Sequence, residues 1–254
     1  MIPVRDTIPS EGRPVMTWLL IAANTLVFLY QSLLPEPAEQ ALVYTWGLVP
    51  ATFSNPGWAA QLGLTPHPWP FLTTQFLHGS WLHLLGNMWM LWIFGDNVED
   101  RMGPWRFLGF YLSCGLAAGA LHFVTNLSST VPTVGASGAI AGVLGAYFTL
   151  YPNARVLTLL PIFFYPLFFE LPAAVFIGLW FAIQVLSGAL SLLAPGTGGI
   201  AWWAHIGGFL AGTTAYRWFM LPRRRRRRVL YPWGPEGPPV IEYIQEPEPN
   251  RNGW

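Results

Sequence analysis

The chain has no lysine, a single cysteine and little charge. Each scarcity removes a class of protein. One cysteine among 254 residues, Cys114, rules out an intramolecular disulfide framework. Charged residues make up 10% of the chain, against about 25% in a soluble globular domain. Hydrophobic residues reach 53% and the mean hydropathy is +0.40, so an ordinary water-soluble fold is excluded. All 13 basic residues are arginine, which points to a GC-rich bacterial genome and hence to a bacterial plasma membrane. Residues Met1–Arg13 are polar and lack a cleavable-signal or transit-peptide pattern.

What is present comes in long apolar blocks. The sequence predicts an all-α polytopic membrane protein with six spans. They run from about Val15 to Leu34, Gly79 to Gly95, Trp105 to Val124, Ser137 to Tyr151, Leu171 to Leu193 and Ala201 to Leu221. Most approach the ~20 residues that a helix needs to cross ~30 Å of hydrocarbon. The fourth is shorter, so its first residue should lie below one membrane surface. Three parts follow: a segment 1–14, a membrane domain 15–221, and a tail 222–254.

Arginine placement sets the expected orientation. Arg5, Arg13, Arg101, Arg106, Arg155, Arg217 and the run Arg223–Arg228 all fall on one side of a six-span arrangement. The positive-inside rule then makes both termini cytoplasmic. The apolar stretch Val156–Pro172 tempts a seventh span, but it holds Pro161, Pro166 and Glu170. A seventh crossing would also strand six arginines outside. It reads as an interfacial or re-entrant segment. The tail beyond Arg228 is rich in Pro, Gly and Glu, a composition that predicts disorder. The arginine run directly after a span fits anionic membrane lipid better than nucleic acid.

In this topology the second, fourth and sixth spans run the same way, so their first turns share one face of the membrane. Those turns carry His78, His83 and Asn87, then Ser137, then His205. Polar side chains at membrane depth are costly and mark functional sites. Ser137 opens a helix whose free N–H groups can face a developing oxyanion. His205 is the best-placed base, and Gly208 and Gly212 on its helix permit close packing against a neighbour. His83 and Asn87, four apart, share a face and suit oxyanion stabilisation better than metal binding. No carboxylate falls near this face except Glu36 and Glu39 in a distant loop, so a Ser–His dyad is more economical than a triad. There is no H-E-x-x-H motif, and the G-A-S-G-A context of Ser137 departs from the G-x-S-x-G elbow. No cofactor or metal is implied. His78 and His122 read as structural, His67 as a loop residue and Cys114 as a packing residue.

The motifs HLLGN, GASGAIAG and AHIGGFLAG, in that order, resemble those of the rhomboid intramembrane serine proteases, and FGDNVEDRMG resembles that family's segment after its second span. The likeness covers about Val15 to Leu221. It implies Ser137 as nucleophile, His205 as base, and Asn87, His83 and the Ser137 amide as an oxyanion hole. Substrates would be membrane-anchored proteins cut in or near a transmembrane segment, and the fifth span would form part of a lateral gate. Two departures stand out. Ala141 replaces the aromatic residue that many relatives carry four positions after the nucleophile, which leaves Trp202 or Trp203 to hold His205. The first outer loop has no arginine to anchor it. A catalytically inactive relative that binds membrane helices is a rival reading, but such proteins usually lose the Ser or the His. A transporter or channel would want a charge at the midplane.

Overall fold

The structure is a computed structural model and describes residues 1–10, 12–162, 165–193, 201–222, 225–230 and 240–245. The chain opens with strand β1 (Ile2–Asp6) and helix α1 (Val15–Leu33). Four short helices follow, α2 (Glu36–Trp46), α3 (Ala51–Ser54), α4 (Pro56–Gln61) and α5 (Pro70–Thr73), with a 3-10 turn at Thr74–Phe76. Then come the long helices α6 (Trp81–Met102), α7 (Pro104–Thr125) and α8 (Ser137–Leu150). Strands β2 (Arg155–Ile162) and β3 (Tyr165–Pro172) lead into α9 (Ala173–Leu193) and α10 (Trp202–Phe219). Strands β4 (Arg225–Leu230) and β5 (Val240–Gln245) pair antiparallel. Where the tail's composition predicts disorder, these two segments instead form a strand pair; the remainder of the tail after Pro222 lies outside the described residues.

The fold is mostly helical, and α1, α6, α7, α8, α9 and α10 overlap the six apolar blocks of the sequence. Three of them, Val15–Leu33, Pro104–Thr125 and Ala173–Ser191, are long and apolar enough to cross a membrane. Helix α8 has 14 residues, about 21 Å at 1.5 Å per residue. It is buried along nearly its whole length, from Gly138 to Tyr147.

Helix α8 owes its burial to glycine. A Cβ at Gly208 would lie 1.9 Å from the Gly138 carbonyl oxygen, and one at Gly212 would lie 1.9 Å from that of Gly142. The backbones of α8 and α10 therefore touch with no side chain between them, as small-residue stripes allow in apolar surroundings. Gly142 also packs on Cys114 of α7.

The strictly all-α expectation needs correction. Val156–Pro172 forms a hairpin, paired from Arg155↔Pro172 to Ile162↔Tyr165, and β1 adds to its edge. Pro161 and Pro166 would break a helix, but they face each other one step before the last pair of the ladder, Ile162↔Tyr165. Val156 and Thr158 alternate inward and are fully buried, the period of two that a strand imposes. Arg155 and Glu170 form a cross-strand ion pair at 3.7 Å, which is exposed and contributes little.

Polar side chains hold this sheet end of the bundle. Buried Glu99 of α6 accepts from the N–H groups of Met16 (2.9 Å) and Thr17 (2.7 Å) and from the Thr17 hydroxyl (2.8 Å). Pro14 gives α1 no side-chain cap, so a carboxylate from another helix satisfies its first turn. Asp6 Oδ2 accepts from the Tyr147 hydroxyl (2.6 Å) and from Asn97 Nδ2 (2.8 Å), which docks β1 onto α6 and α8. Burial lifts the Asp6 carboxyl above its ordinary range, and the Tyr147 hydroxyl acts in the opposite direction.

The α8–α10 contact gives a stability prediction. Gly212→Ala must force the two backbones apart, at a cost of about 1–3 kcal/mol or more. A methyl group added at Gly86 of α6 would meet nothing within 4 Å, so Gly86→Ala serves as the matched control. In detergent, Gly212→Ala should melt several degrees lower and Gly86→Ala should not. Equal melting temperatures would contradict the backbone contact.

Candidate active site

Three helix starts meet at the end of the bundle away from Glu99 and Asp6. Ser137 is the first residue of α8, His205 lies one turn into α10, and His83 and Asn87 occupy the first two turns of α6. Because α8 and α10 touch through Gly138 and Gly208, their side chains reach across a very short gap. The Ser137 hydroxyl lies 2.8 Å from His205 Nε2. A serine in this hydrogen bond can pass its proton to the imidazole as its oxygen attacks an acyl carbon.

The loop before Ser137 is held over α6. Gly135 has φ +131°, a conformation that favours glycine, and its N–H donates to the Thr74 carbonyl at 2.9 Å. A Cβ there would lie 2.7 Å from His83 Nε2 and 3.6 Å from Asn87 Nδ2. Glycine thus leaves both polar groups a clear approach to the start of α8. Asn87 is buried, and its Nδ2 has no protein hydrogen-bond partner. The Gly79 N–H points at His83 Nδ1 from 3.5 Å, a weak contact that favours the proton on Nε2, the atom facing Gly135. Two side-chain donors and the open N–H groups of α8 therefore surround the space beside Ser137.

The remaining histidines fall elsewhere. His78 is fully buried beside His83, with ring centroids 5.1 Å apart, and its backbone is bonded on both sides by Gln31 of α1. His122 bonds the Thr133 hydroxyl at 2.7 Å. His67 packs edge-on against Trp46 in the loop region. Among the described residues no three His, Cys, Asp or Glu side chains cluster in a way that could hold a metal ion.

The sequence misjudged what holds His205. Trp202 does meet the imidazole edge-on at 6.5 Å, but Trp180 of α9 lies closer, at 5.9 Å, and Gln184 of α9 bonds Nδ1 at 2.7 Å. Ala141 is small for a visible reason. Its Cβ lies 3.3 Å from the position a Cβ at Gly208 would take, so it faces the backbone of α10 directly. Gln184 had one legible signal, a lone amide in an otherwise apolar run.

The first long loop needs no arginine. Leu48 and Thr133 exchange backbone hydrogen bonds of 3.0 and 2.8 Å, and the Ala51 N–H bonds Ser129 at 2.9 Å. The Thr74 hydroxyl donates to the Thr133 carbonyl, and Gln31 Nε2 reaches the His78 carbonyl at 2.7 Å. The loop is thereby tied to the segment that leads into Ser137.

Comparison with known proteins agrees with this architecture. The family model described as Rhomboid domain matches residues 65–223. The human presenilin-associated rhomboid-like protein, mitochondrial, is 33% identical over 161 residues, which cover 63% of this chain and 38% of that protein. Rhomboid protein 1, mitochondrial, of Saccharomyces cerevisiae is 27% identical over 163 residues, 61% of this chain and 44% of that protein. Rhomboid protease GluP of Bacillus subtilis is 33% identical over 138 residues, 54% of this chain and 25% of that protein. The chain thus spans less than half the length of each of these relatives. Mitochondrial and bacterial proteins both appear among them, so they do not support the bacterial plasma membrane suggested by arginine usage. The matched region contains α6 to α10 and every residue of the site just described, and the chain belongs to the rhomboid family.

Proposed function

We propose that this chain is an intramembrane serine endopeptidase that cleaves membrane-anchored proteins in or near a transmembrane segment. The observation that carries the reading is the 2.8 Å hydrogen bond between Ser137 Oγ and His205 Nε2. It lies at the start of two helices packed backbone to backbone inside an apolar bundle. Ser137 Oγ attacks the scissile carbonyl while His205 Nε2 takes its proton. The oxyanion that forms is met by Asn87 Nδ2, His83 Nε2 and the Ser137 N–H. Collapse breaks the C–N bond, His205 returns its proton to the leaving amine, and water then releases the acyl group by the same route. Kinship with a protein whose name includes "protease" supports this chemistry.

The same reading organises the chain as segment 1–14, a membrane domain 15–221 and a basic tail 222–254. Six crossings place both termini on the cytoplasmic side, with the arginine run against anionic lipid and Ser137 below the opposite surface. The partners are transmembrane substrates and lipid, with no cofactor, metal or nucleic acid required.

Three outcomes are expected. A fluorophosphonate probe should label Ser137, and Ser137→Ala or His205→Ala should each abolish cleavage of a tagged transmembrane segment without loss of folding. EDTA should change nothing. Persistent cleavage by Ser137→Ala, or inactivation by the chelator, would sink the serine mechanism.

Asn87 acts chiefly in the transition state under this proposal. Asn87→Ala should therefore lower kcat by about 10²–10³ with little change in KM. His83→Ala should behave similarly, whereas His78→Ala should lose melting temperature in step with activity. Wild-type turnover by Asn87→Ala, or an effect on KM alone, contradicts the oxyanion assignment.

Topology is tested with cysteine reporters after replacing Cys114, the only native thiol. In intact cells an impermeant maleimide should react with Ser128→Cys and spare Phe168→Cys and Arg225→Cys. The reverse pattern would overturn the six-span orientation.

A further inference from the structure

Among its described residues α9 carries one buried polar side chain, Gln184, which is 5% exposed. Burying an amide in apolar surroundings is unfavourable unless its hydrogen bonds are made. Both ends of this one are used. Nε2 donates to the Trp180 carbonyl one turn earlier at 3.3 Å, and Oε1 faces His205 Nδ1 at 2.7 Å.

These two contacts fix a proton. The Trp180 carbonyl can only accept, so the end of the amide beside it is the NH2 group. The end beside His205 is then the oxygen, which also can only accept. His205 Nδ1 must therefore carry hydrogen. That leaves a lone pair on Nε2, the atom 2.8 Å from the Ser137 hydroxyl. This is the one neutral tautomer able to take the serine proton. No acidic side chain does this work: the single ion pair among the described residues is Arg155–Glu170, at the other end of the bundle. The titratable groups that act on His205 electrostatically are His83 and His122, and the flanking rings are those of Trp180 and Trp202.

We propose that Gln184 is a positioning residue that sets the tautomer and ring orientation of His205. The proposal rests on the Ser137–His205 reading above and adds a third member from α9. As the imidazole gains its second proton, the Nδ1–H···Oε1 bond becomes charge-assisted and shortens, so it stabilises the transition state more than the resting state. An amide suits the location. A carboxylate there would also accept from Nδ1–H, at a desolvation cost that is offset while the imidazole beside it is charged.

The test compares Gln184→Leu and Gln184→Glu with wild type in the full-length protein, with Ser137→Ala and His205→Ala run in parallel. Gln184→Leu should lower kcat about 10- to 100-fold with KM within about twofold. The rate of fluorophosphonate labelling at Ser137 should fall in parallel. Gln184→Glu restores the acceptor, so most of kcat should return, with the acid limb of kcat/KM moved to higher pH because a carboxylate favours the imidazolium. Nitrogen-15 NMR, with His205 assigned by difference from His205→Ala, should show the Nδ1–H tautomer in wild type and its loss of dominance in Gln184→Leu. Wild-type labelling and turnover in Gln184→Leu overturn the proposal. So does an inactive Gln184→Leu that keeps the wild-type tautomer, or that Gln184→Glu does not rescue. If Ser137→Ala still cleaves, the Ser–His reading itself fails, which is a different result from an intact dyad indifferent to Gln184.

Discussion

The contact between α8 and α10 governs the site. In apolar surroundings no hydrophobic effect drives helices together, so close packing of their surfaces must do it. Here the fit is backbone against backbone, with Gly208 over Gly138 and Gly212 over Gly142. Ser137 adjoins Gly138, and His205 lies three residues before Gly208, on the same face of its helix. A serine side chain is among the shortest that can donate a hydrogen bond. It reaches an imidazole on the neighbouring helix only because nothing larger than hydrogen separates the two backbones. A methyl group at either glycine would lengthen the 2.8 Å contact before it altered any catalytic atom.

Polar groups at the two ends of the bundle meet different fates. At the sheet end Glu99 accepts three hydrogen bonds, and Asp6 draws Tyr147 and Asn97 onto one oxygen. Donor and acceptor are matched there, and the bonds fix where α1, α6, α8 and β1 stand. At the Ser137 end the buried Asn87 Nδ2 lacks a protein partner. A buried donor left open costs about 1–3 kcal/mol. Under the proposed mechanism, a charge that exists only during reaction completes the bond. The saturated end supplies the rigidity that keeps the open end in place.

Much of this was legible in the sequence. Apolar blocks located all six helices, and the glycine spacing of GASGAIAG and HIGGFLAG foretold which helices would touch. Shared direction of the second, fourth and sixth segments brought Ser137, His205, His83 and Asn87 to one end. Other features were hidden for physical reasons. Val156–Pro172 is apolar enough to suggest a membrane segment, and only its two prolines argued against a helix. Its strand register depends on β1, more than 150 residues earlier at Ile2↔Leu159. The loop helices α2 to α5 are short, and backbone hydrogen bonds to 129–135 anchor them, which no side-chain pattern announces. Gln184 escaped notice because a lone amide carries no periodicity. Its partner is set by how α9 sits on α10, a tertiary relation.

That seating ties His205 to the least-buried of the three long apolar helices. The most apolar window of α9 is 28% buried, against 33% for α1 and 44% for α7. Its outer face presents Ile183, Leu186 and Leu190 to the surroundings. On its inner face, Phe181 stacks on Phe209 of α10 at 4.1 Å, and Gln184 bonds His205. At the sheet end the Ala173 N–H bonds the Ala154 carbonyl at 2.6 Å, which fixes the start of α9 to the hairpin. The helix is thus pinned at its first turn and held further along by a ring stack and one amide. Hydrogen bonds weaken steeply with distance, so a shift of about 1 Å at Gln184 would free His205 Nδ1. The Ser137–His205 contact involves no atom of α9, but the Nδ1 side of the imidazole is held by Gln184 alone among the hydrogen bonds described. The orientation of His205 therefore depends on a helix that contributes neither residue of the Ser137–His205 pair.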